Sequence, residues 1–457
     1  MRGDLAHVAR LLGGDLHGNA AAFAGVTIDT RQLSPGALFV ALPGARTDGH
    51  GFLAQAQARG AAGALVQRMD PTVALPQVAV TNTRAALIAL ACYWRGQFVG
   101  PVVALTGSNG KTTVKEMVAA ILRTQGDVWA TPGNYNNELG LPLSLLGLDP
   151  ERHWAAVFEL GANHAGEIAE LATWARPGMG LVTQAGRAHL EGFGSLEGVA
   201  RAKGELLAAL PADGVAIINA DDPFAAYWEG QTQARVIRFG FSSAADVHTD
   251  PLQCQMRIDD AGARQLFQWV TPTGEAAAAL RFLGRHNLRN ALAAAAVGEA
   301  LGLSPATVAA GLAAAHPAPG RLNWFVGRDG VRLIDDSYNA NPTSLRAAVE
   351  VLAELEGEGW LVLGDMAELG EDAASMHAEM GAFAREQGIA RLYAVGPLSA
   401  AAVETFGRGA RHFADQPQLL DGLEADLAHC PVPPTVLVKG SRRMAMERVI
   451  AALRQVD

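Results

Sequence analysis

Apolar residues fall along this chain in short β-favouring runs that alternate with helical patterns, in three successive blocks. In the first block, Met1 to Gly14 sets Asp4, His7 and Arg10 among apolar positions, as an amphipathic helix does. Val26-Thr27-Ile28-Asp29-Thr30-Arg31 reads as a strand, Ser34-Pro35-Gly36 as a turn and Ala37 to Leu42 as a second strand. Pro43 to His50 is a polar loop, followed by a helix at Phe52 to Arg59, strands at Gly63 to Val66 and Val78 to Val80, and a helix at Thr83 to Trp94. The second block has apolar strands at Val102 to Thr106, Val128 to Ala130, Trp154 to Gly161, Gly180 to Thr183 and Val215 to Asn219. Helical patterns at Val114 to Val118, Leu139 to Leu146, Glu167 to Trp174 and Ser195 to Leu210 separate them, which predicts a mostly parallel sheet. Arg235 to Leu283 changes to short alternating pieces with Pro272-Thr273-Gly274 as a turn, a small antiparallel annex. Helices at Ala291 to Leu301 and Pro305 to Ala315 close the block, and His316 to Arg321 is a linker because its prolines and glycine break the helix. The third block has strands at Val331 to Asp336, Trp360 to Asp365, Arg391 to Gly396 and Thr435 to Gly440, and a helix at Pro342 to Leu355. Each strand ends in glycine or a charge, so this is a second open sheet with a ligand edge of its own. The fold class is α/β, with domains at residues 1–98, 99–316 and 317–457.

Composition narrows the partners. At 457 residues, almost half of them apolar, the chain is globular, and a formal charge of −10 makes neither nucleic acid nor a membrane surface the expected partner. The amphipathic start lacks the apolar core of a signal peptide, and no apolar run has the length of a membrane span. Cys92, Cys254 and Cys430 lie far apart and suit buried thiols in a reducing cytoplasm.

The chemistry centres on Gly107-Ser108-Asn109-Gly110-Lys111-Thr112-Thr113, between the strand ending at Thr106 and a helical pattern. Strand, glycine loop and helix start make a phosphate cradle: glycines let N–H groups approach, Lys111 adds a charge and the Thr112 hydroxyl suits magnesium. Leu105 stands where the standard pattern has its first glycine. Glu159 ends an apolar strand and, with His189, could hold a magnesium-bound oxygen; a carboxylate satisfied by a helix start and a packing histidine are the plainer alternatives. Lys203 alone reads as a solvated helix lysine. Thr30, Arg31 and Arg46 suit an anionic substrate, or else turn caps and surface charge. Asp335, Asp336, Ser337, Tyr338, Asn339, Asn341, Asp365, Glu368, Lys439, Ser441 and Arg442 suit a ribose, a carboxylate and an ammonium, or else are caps and turns.

Those residues, in order over nearly the whole chain, resemble the Mur ligase family. The resemblance rests on the phosphate loop, on Glu159 to His164, Ala188 to Gly194, Ala202 to Glu205 and Gly284 to Ala291, and on Asp336-Ser337-Tyr338-Asn339-Ala340-Asn341-Pro342, Gly364 to Gly370 and Val438 to Arg442. Gln184 departs from it, where asparagine is common. It implies a central phosphate-loop ATPase flanked by a small α/β N-terminal domain that binds a UDP-substrate and a Rossmann-like C-terminal domain. The C-terminal motifs imply the member that adds D-alanyl-D-alanine to UDP-MurNAc-tripeptide through an acyl phosphate, in peptidoglycan precursor synthesis. ATP and magnesium are the implied cofactors, and a cytoplasmic monomer the implied state. By the same resemblance Lys111 and its loop hold phosphates; Thr112, Glu159, His189 and a carbamylated Lys203 hold magnesium. Asn287 and Asn290 face adenine, Arg321 the phosphates and Asp336 the ribose. Thr30, Arg31, Gly44, Arg46, Asp48, Asn137, Asn339, Asn341 and Lys439 contact the other substrates. A phosphate-loop kinase and a non-catalytic relative are the competing readings; phosphate release that requires both the sugar peptide and the dipeptide separates them.

Overall fold

The computed structural model describes residues 1–44, 47–186, 190–259 and 262–454. Its contacts divide the chain into two units, Met1–Ala104 with Gly126–Gly161 and Glu167–Gly178, and Leu105–Gln125 with Ala162–Gly166 and Met179–Asp457.

In the first unit, strands run in the order Asp15–His17, Gln77–Ala79, Gly63–Val66, Leu38–Val40, Val26–Thr27. The first pairing is antiparallel and the others are parallel. Phe39, Ala41, Leu53, Ala64 and Val66 form part of the core against this sheet. The strand expected to reach Arg31 stops at Thr27. Asp29 bends the chain: its side chain accepts the Arg31 N–H at 2.9 Å and starts a single 3₁₀ turn at Thr30–Gln32. The parallel pair Val128–Ala130 and Ala155–Glu159 belongs to the same unit.

In the second unit, Met179–Val182, Val215–Asn219, Arg235–Gly240 and Val247–His248 pair successively in parallel. Arg235–Gly240 therefore continues the parallel sheet, although its alternating pattern reads as antiparallel annex. Its polar position, Arg238, is held bidentately by Glu229 at 2.7 Å, so the alternation marks an ion pair and not a free edge. The antiparallel part begins at Gln255–Asp259, with Gly262–Thr271 and Gly274–Leu280 forming a hairpin across the expected turn. The next helix begins at Arg285, not Ala291, because Gly284 at φ 90° turns the chain directly into it.

The C-terminal sheet has the order Asn323–Val326, Arg332–Asp336, Thr435–Lys439, Gly359–Gly364, Arg391–Val395, Ala410–Phe413, antiparallel only at the first pairing. Two of these strands, Asn323–Val326 and Ala410–Phe413, are additions to the sequence reading. Alternate residues feed opposite faces: Ile334, Leu361 and Leu437 pack with helices Pro342–Glu354 and Ala373–Glu386, while Leu333, Val362 and Val436 pack with Gln416–Ala428 and Glu447–Leu453. Both faces are covered, as a parallel sheet requires. Among the described residues, no helix is long and apolar enough to cross a membrane.

Candidate active site

The phosphate loop leaves the fully buried strand Val102–Thr106 and enters helix Lys111–Arg123. Gly107 and Gly110 have φ of 147° and 83°, conformations that side chains resist. A Cβ at Gly107 would lie 1.9 Å from the Thr183 hydroxyl, and one at Gly110 would lie 2.5 Å from Asn290 Oδ1. The helix has Gly110 at its N-cap, so no side chain caps it. Lys111 Nζ folds back and donates to the Gly107 carbonyl at 2.7 Å.

The segment after strand Met179–Val182 braces this loop. Thr183 Oγ1 donates to the Asn109 carbonyl at 2.6 Å, and Ser108 Oγ accepts the Gly186 N–H at 2.9 Å. The Gln184 carbonyl accepts the Ser108 N–H at 3.0 Å, so the contact made by this position's backbone is independent of glutamine or asparagine.

A cavity of about 420 Å³ opens beside the loop, lined by Asn109, Gly110, Asn287, Asn290, Arg321 and Asp336 among others. It gathers the loop, the start of helix Arg285–Ala300 and the ends of two C-terminal strands. Asn290 Nδ2 donates to Asn287 Oδ1 at 2.9 Å, and Asn287 Nδ2 donates to the Leu283 carbonyl at 2.8 Å. Arg321 lies over the Tyr338 ring, 4.2 Å from its centroid. Asp336 and Lys439 are opposite residues of adjacent parallel strands, and the ammonium donates to the buried carboxylate. Leu322 N–H also donates to Asp336, and Lys439 donates to the Asn339 carbonyl at 2.9 Å. Burial pushes the Asp336 carboxyl up and the Lys439 ammonium down, while their attraction opposes both shifts.

Sequence reasoning left out His286 and Arg289, which line the same cavity. Burial, with Lys439 and Arg289 nearby, lowers His286 to about 4, so its imidazole is neutral at pH 7. Arg289 is paired with Asp221 at 3.2 Å and lies over Phe241 at 4.6 Å. Both stand in the motif from Gly284 to Ala291, but a helix expected to start at Ala291 leaves out the helical face they share.

Other expected site residues occupy separate places. In the first unit, Glu159 is 2% exposed at the end of its strand and accepts from Asn136 Nδ2 at 2.8 Å. Neighbouring Asn137 instead caps helix Gly140–Gly147, its Oδ1 accepting the Gly140 N–H at 2.9 Å. Thr30 donates to Gln55 at 2.8 Å, and Arg31 is paired with Asp29 at 2.7 Å. Asp48 accepts from the His50 N–H at 3.0 Å, from the His50 ring at 2.6 Å and from Arg68, and the backbone N–H first, then the ring, hold its carboxyl below the usual range. At Gly44 an added Cβ would meet the Thr47 carbonyl at 2.7 Å. In the second unit, Lys203 is 2% exposed, not solvated, with its ammonium 5.2 Å from the centre of the Phe193 ring. Asn339 is exposed, and Asn341 caps helix Pro342–Glu354. Arg46 and His189 lie outside the described residues.

The loop and cavity fit a nucleoside triphosphate. Arg285, Arg289, Arg321, Arg346 and Lys439 outnumber Asp336 and Glu350 in the lining, and among the described residues Asn109 Nδ2 is a buried donor with no hydrogen-bond partner. A larger cavity of about 810 Å³ lies over the antiparallel strands, but Asp250 and Glu275 line it with no lysine or arginine, so it lacks the charge a triphosphate needs.

Three family descriptions match the chain: "Mur ligase family, catalytic domain" over residues 22–95, "Mur ligase middle domain" over 105–298 and "Mur ligase, glutamate ligase domain" over 320–442. The Escherichia coli UDP-N-acetylmuramoyl-tripeptide–D-alanyl-D-alanine ligase is 45% identical, over 99% of this chain and 98% of its own length. The Haemophilus influenzae enzyme of that name is 38% identical, over 94% of this chain and 93% of its own. A crystal structure of MurF from Acinetobacter baumannii superposes with a TM-score of 0.91 at 35% identity, covering 99% of both chains. MurF ligase from Thermotoga maritima, in complex with ADP, does so with a TM-score of 0.81 at 27% identity, covering 94% of this chain and 96% of its own.

Proposed function

The chain belongs to the Mur ligase family, and we propose that it joins D-alanyl-D-alanine to a UDP-N-acetylmuramoyl-tripeptide with cleavage of ATP, in peptidoglycan precursor synthesis. The observation that carries this reading is likeness over the whole length to ligases of that one specificity. The domains are the stretches 1–98, 99–316 and 317–457, and the site is cytoplasmic and monomeric in this reading.

Amide formation needs the carboxylate oxygen made into a leaving group. With ATP bound, the tripeptide's terminal carboxylate oxygen would take the γ-phosphoryl group as ADP leaves; the dipeptide amine would then bond the acyl carbon, lose a proton and expel inorganic phosphate. This chain's residues bind and orient. Lys111 exchanges the Gly107 carbonyl for phosphate oxygens, and the loop's N–H groups meet the rest. Asn287 and Asn290 hold the adenine, Arg321 the phosphates and Asp336 a ribose hydroxyl. Its pairing with Lys439 keeps the Asp336 carboxylate an acceptor. Magnesium neutralises charge on the phosphates when bound; Thr112, Glu159, His189 and Lys203 as a carbamate are its proposed donors. Glu159 fits as a buried oxygen donor oriented by Asn136. Thr30, Arg31, Gly44, Arg46, Asp48 and Asn137 are assigned to the sugar nucleotide and peptide, and Asn339 and Lys439 to the C-terminal side of the site.

Inorganic phosphate release tests the reading. It should require ATP, the sugar tripeptide and D-alanyl-D-alanine together; release from ATP alone, or with only one of the other two, would make this a phosphate-loop hydrolase or kinase. Lys203→Ala should lose most activity and regain part of it with added acetate, which replaces the carbamate oxygens. An inactive, folded variant deaf to acetate would argue against the carbamate.

A further inference from the structure

The orientation of one amide in the phosphate loop is dictated by the N-cap of helix Pro342–Glu354. Asn341 caps helix Pro342–Glu354: its Oδ1 accepts the Ser344 N–H at 2.8 Å, and its own N–H donates to the Ser344 hydroxyl at 3.1 Å. A backbone N–H can only donate, so the capping atom has to be the oxygen and Asn341 Nδ2 is turned the other way. That Nδ2 lies 2.9 Å from Asn109 Oδ1. An NH₂ group admits only the oxygen of Asn109 opposite it, which turns the Asn109 Nδ2 away. This nitrogen is a buried donor that has no hydrogen-bond partner among the described residues. The backbone of Asn109 is itself held, its carbonyl accepting from Thr183 Oγ1 at 2.6 Å, so the loop does not swing to find one. A buried amide N–H without an acceptor is destabilising. Between Gly107 and Lys111, the acceptor that suits it is a phosphate oxygen.

We propose that Asn341 is a positioning residue for the ligase: by capping its helix it fixes the Asn109 amide with the nitrogen offered to the nucleotide's phosphates. This rests on the ATP reading of the loop. Two substitutions separate the cap from the positioning, because aspartate and serine both cap helices as well as asparagine. In Asn341→Asp the second oxygen accepts instead of donating, so the Asn109 amide turns over and presents a carbonyl oxygen to the phosphate. In Asn341→Ser the cap stays and Asn109 is left undirected.

The test titrates the full chain with a non-hydrolysable ATP analogue and, separately, with adenosine. Asn341→Asp should weaken the analogue about tenfold and Asn341→Ser about threefold, with adenosine affinity and melting temperature unchanged, as for a charge-assisted bond removed from a folded site. In an Asn109→Ala background, Asn341→Asp should change analogue affinity less than about twofold, because the two act as one unit. Full additivity would make the effect one of the added charge and overturn the proposal. So would an equal loss for adenosine, analogue affinities that match the unsubstituted chain, or an unsubstituted chain that does not bind the analogue. Analogue binding with the predicted coupling, but phosphate release independent of the two other substrates, would overturn the ligase reading and leave the positioning role standing.

Discussion

The polar residues of the first unit and those around the phosphate loop look alike in sequence and differ in what their side chains have to do. Thr30, Arg31 and Asp48 are satisfied close by: a hydroxyl on Gln55, a guanidinium on Asp29, a carboxylate between His50 and Arg68. The loop is satisfied in its brace, but its helix begins without a capping side chain and, among the described residues, the buried Asn109 Nδ2 has no partner. Buried polar groups in folded chains are normally paired, so an unpaired donor that also lines a cationic cavity is a place for a ligand; among the described residues Ser144, Gln265, Trp269, Trp324, Thr435 and Glu447 also hold unpaired buried atoms, but outside this cavity. In the first unit, a ligand has to displace existing pairs; at the loop it displaces the Lys111–Gly107 contact but supplies the acceptor that Asn109 lacks.

The largest effect that would break this comparison is at Lys111. Lys111→Ala should lower turnover about 10²–10³-fold, since in the proposed reaction it removes the charge that meets the transferred phosphate. Its melting temperature should stay close to that of the unsubstituted chain, and near-normal turnover would remove the loop from the mechanism. The cavity wall should be next. Asp336 and Lys439 are both buried, so Lys439→Met leaves a carboxylate without its counter-charge and should destabilise by about 3–5 kcal/mol in denaturant titration. A loss below about 1 kcal/mol would mean that the pair is solvated in solution.

A pH measurement sharpens the contrast further. His286 is lowered to about 4 from 6.5 in the fold, so the unfolded chain takes up its proton first as pH falls. Its contribution to stability is fully present above pH 6.5 and is lost as pH drops towards 4, by about 3 kcal/mol in all. His286→Gln should flatten that part of the stability profile, and an unchanged slope would show that the imidazole titrates freely. The smallest effect belongs to Arg31, which is exposed and paired on the surface. Arg31→Ala should leave the melting temperature unchanged and raise KM for the sugar nucleotide about two- to fivefold, the scale of a screened surface charge. Unchanged KM would leave it with no ligand at all.

What could be read without the structure was what is local along the chain. Strand, glycine loop and helix sit within one short segment, so the phosphate loop is legible from spacing alone. Which of two neighbouring asparagines faces Glu159 is not, because Asn136 and Asn137 diverge only when the turn before helix Gly140–Gly147 is built. The Asp336–Lys439 pair depends on parallel register between strands far apart in sequence, and Thr30 finds Gln55 only through packing. Arg235–Gly240 was misplaced because an ion pair at Arg238 imitates the alternation of an exposed strand. Asn341 drew attention as a substrate contact through a family motif, while its side chain is engaged by the helix cap and by Asn109.

The central claim is that ATP occupies the smaller, cationic cavity beside the loop. A crystal structure of the chain with a non-hydrolysable ATP analogue tests it most directly. The phosphates should lie against Gly107 to Thr112, with Asn109 Nδ2 and Lys111 Nζ within hydrogen-bond distance, and the nucleoside among Asn287, Arg321 and Asp336. Analogue density in the groove over Gly262–Thr271 and Gly274–Leu280, with the loop unchanged, would contradict it.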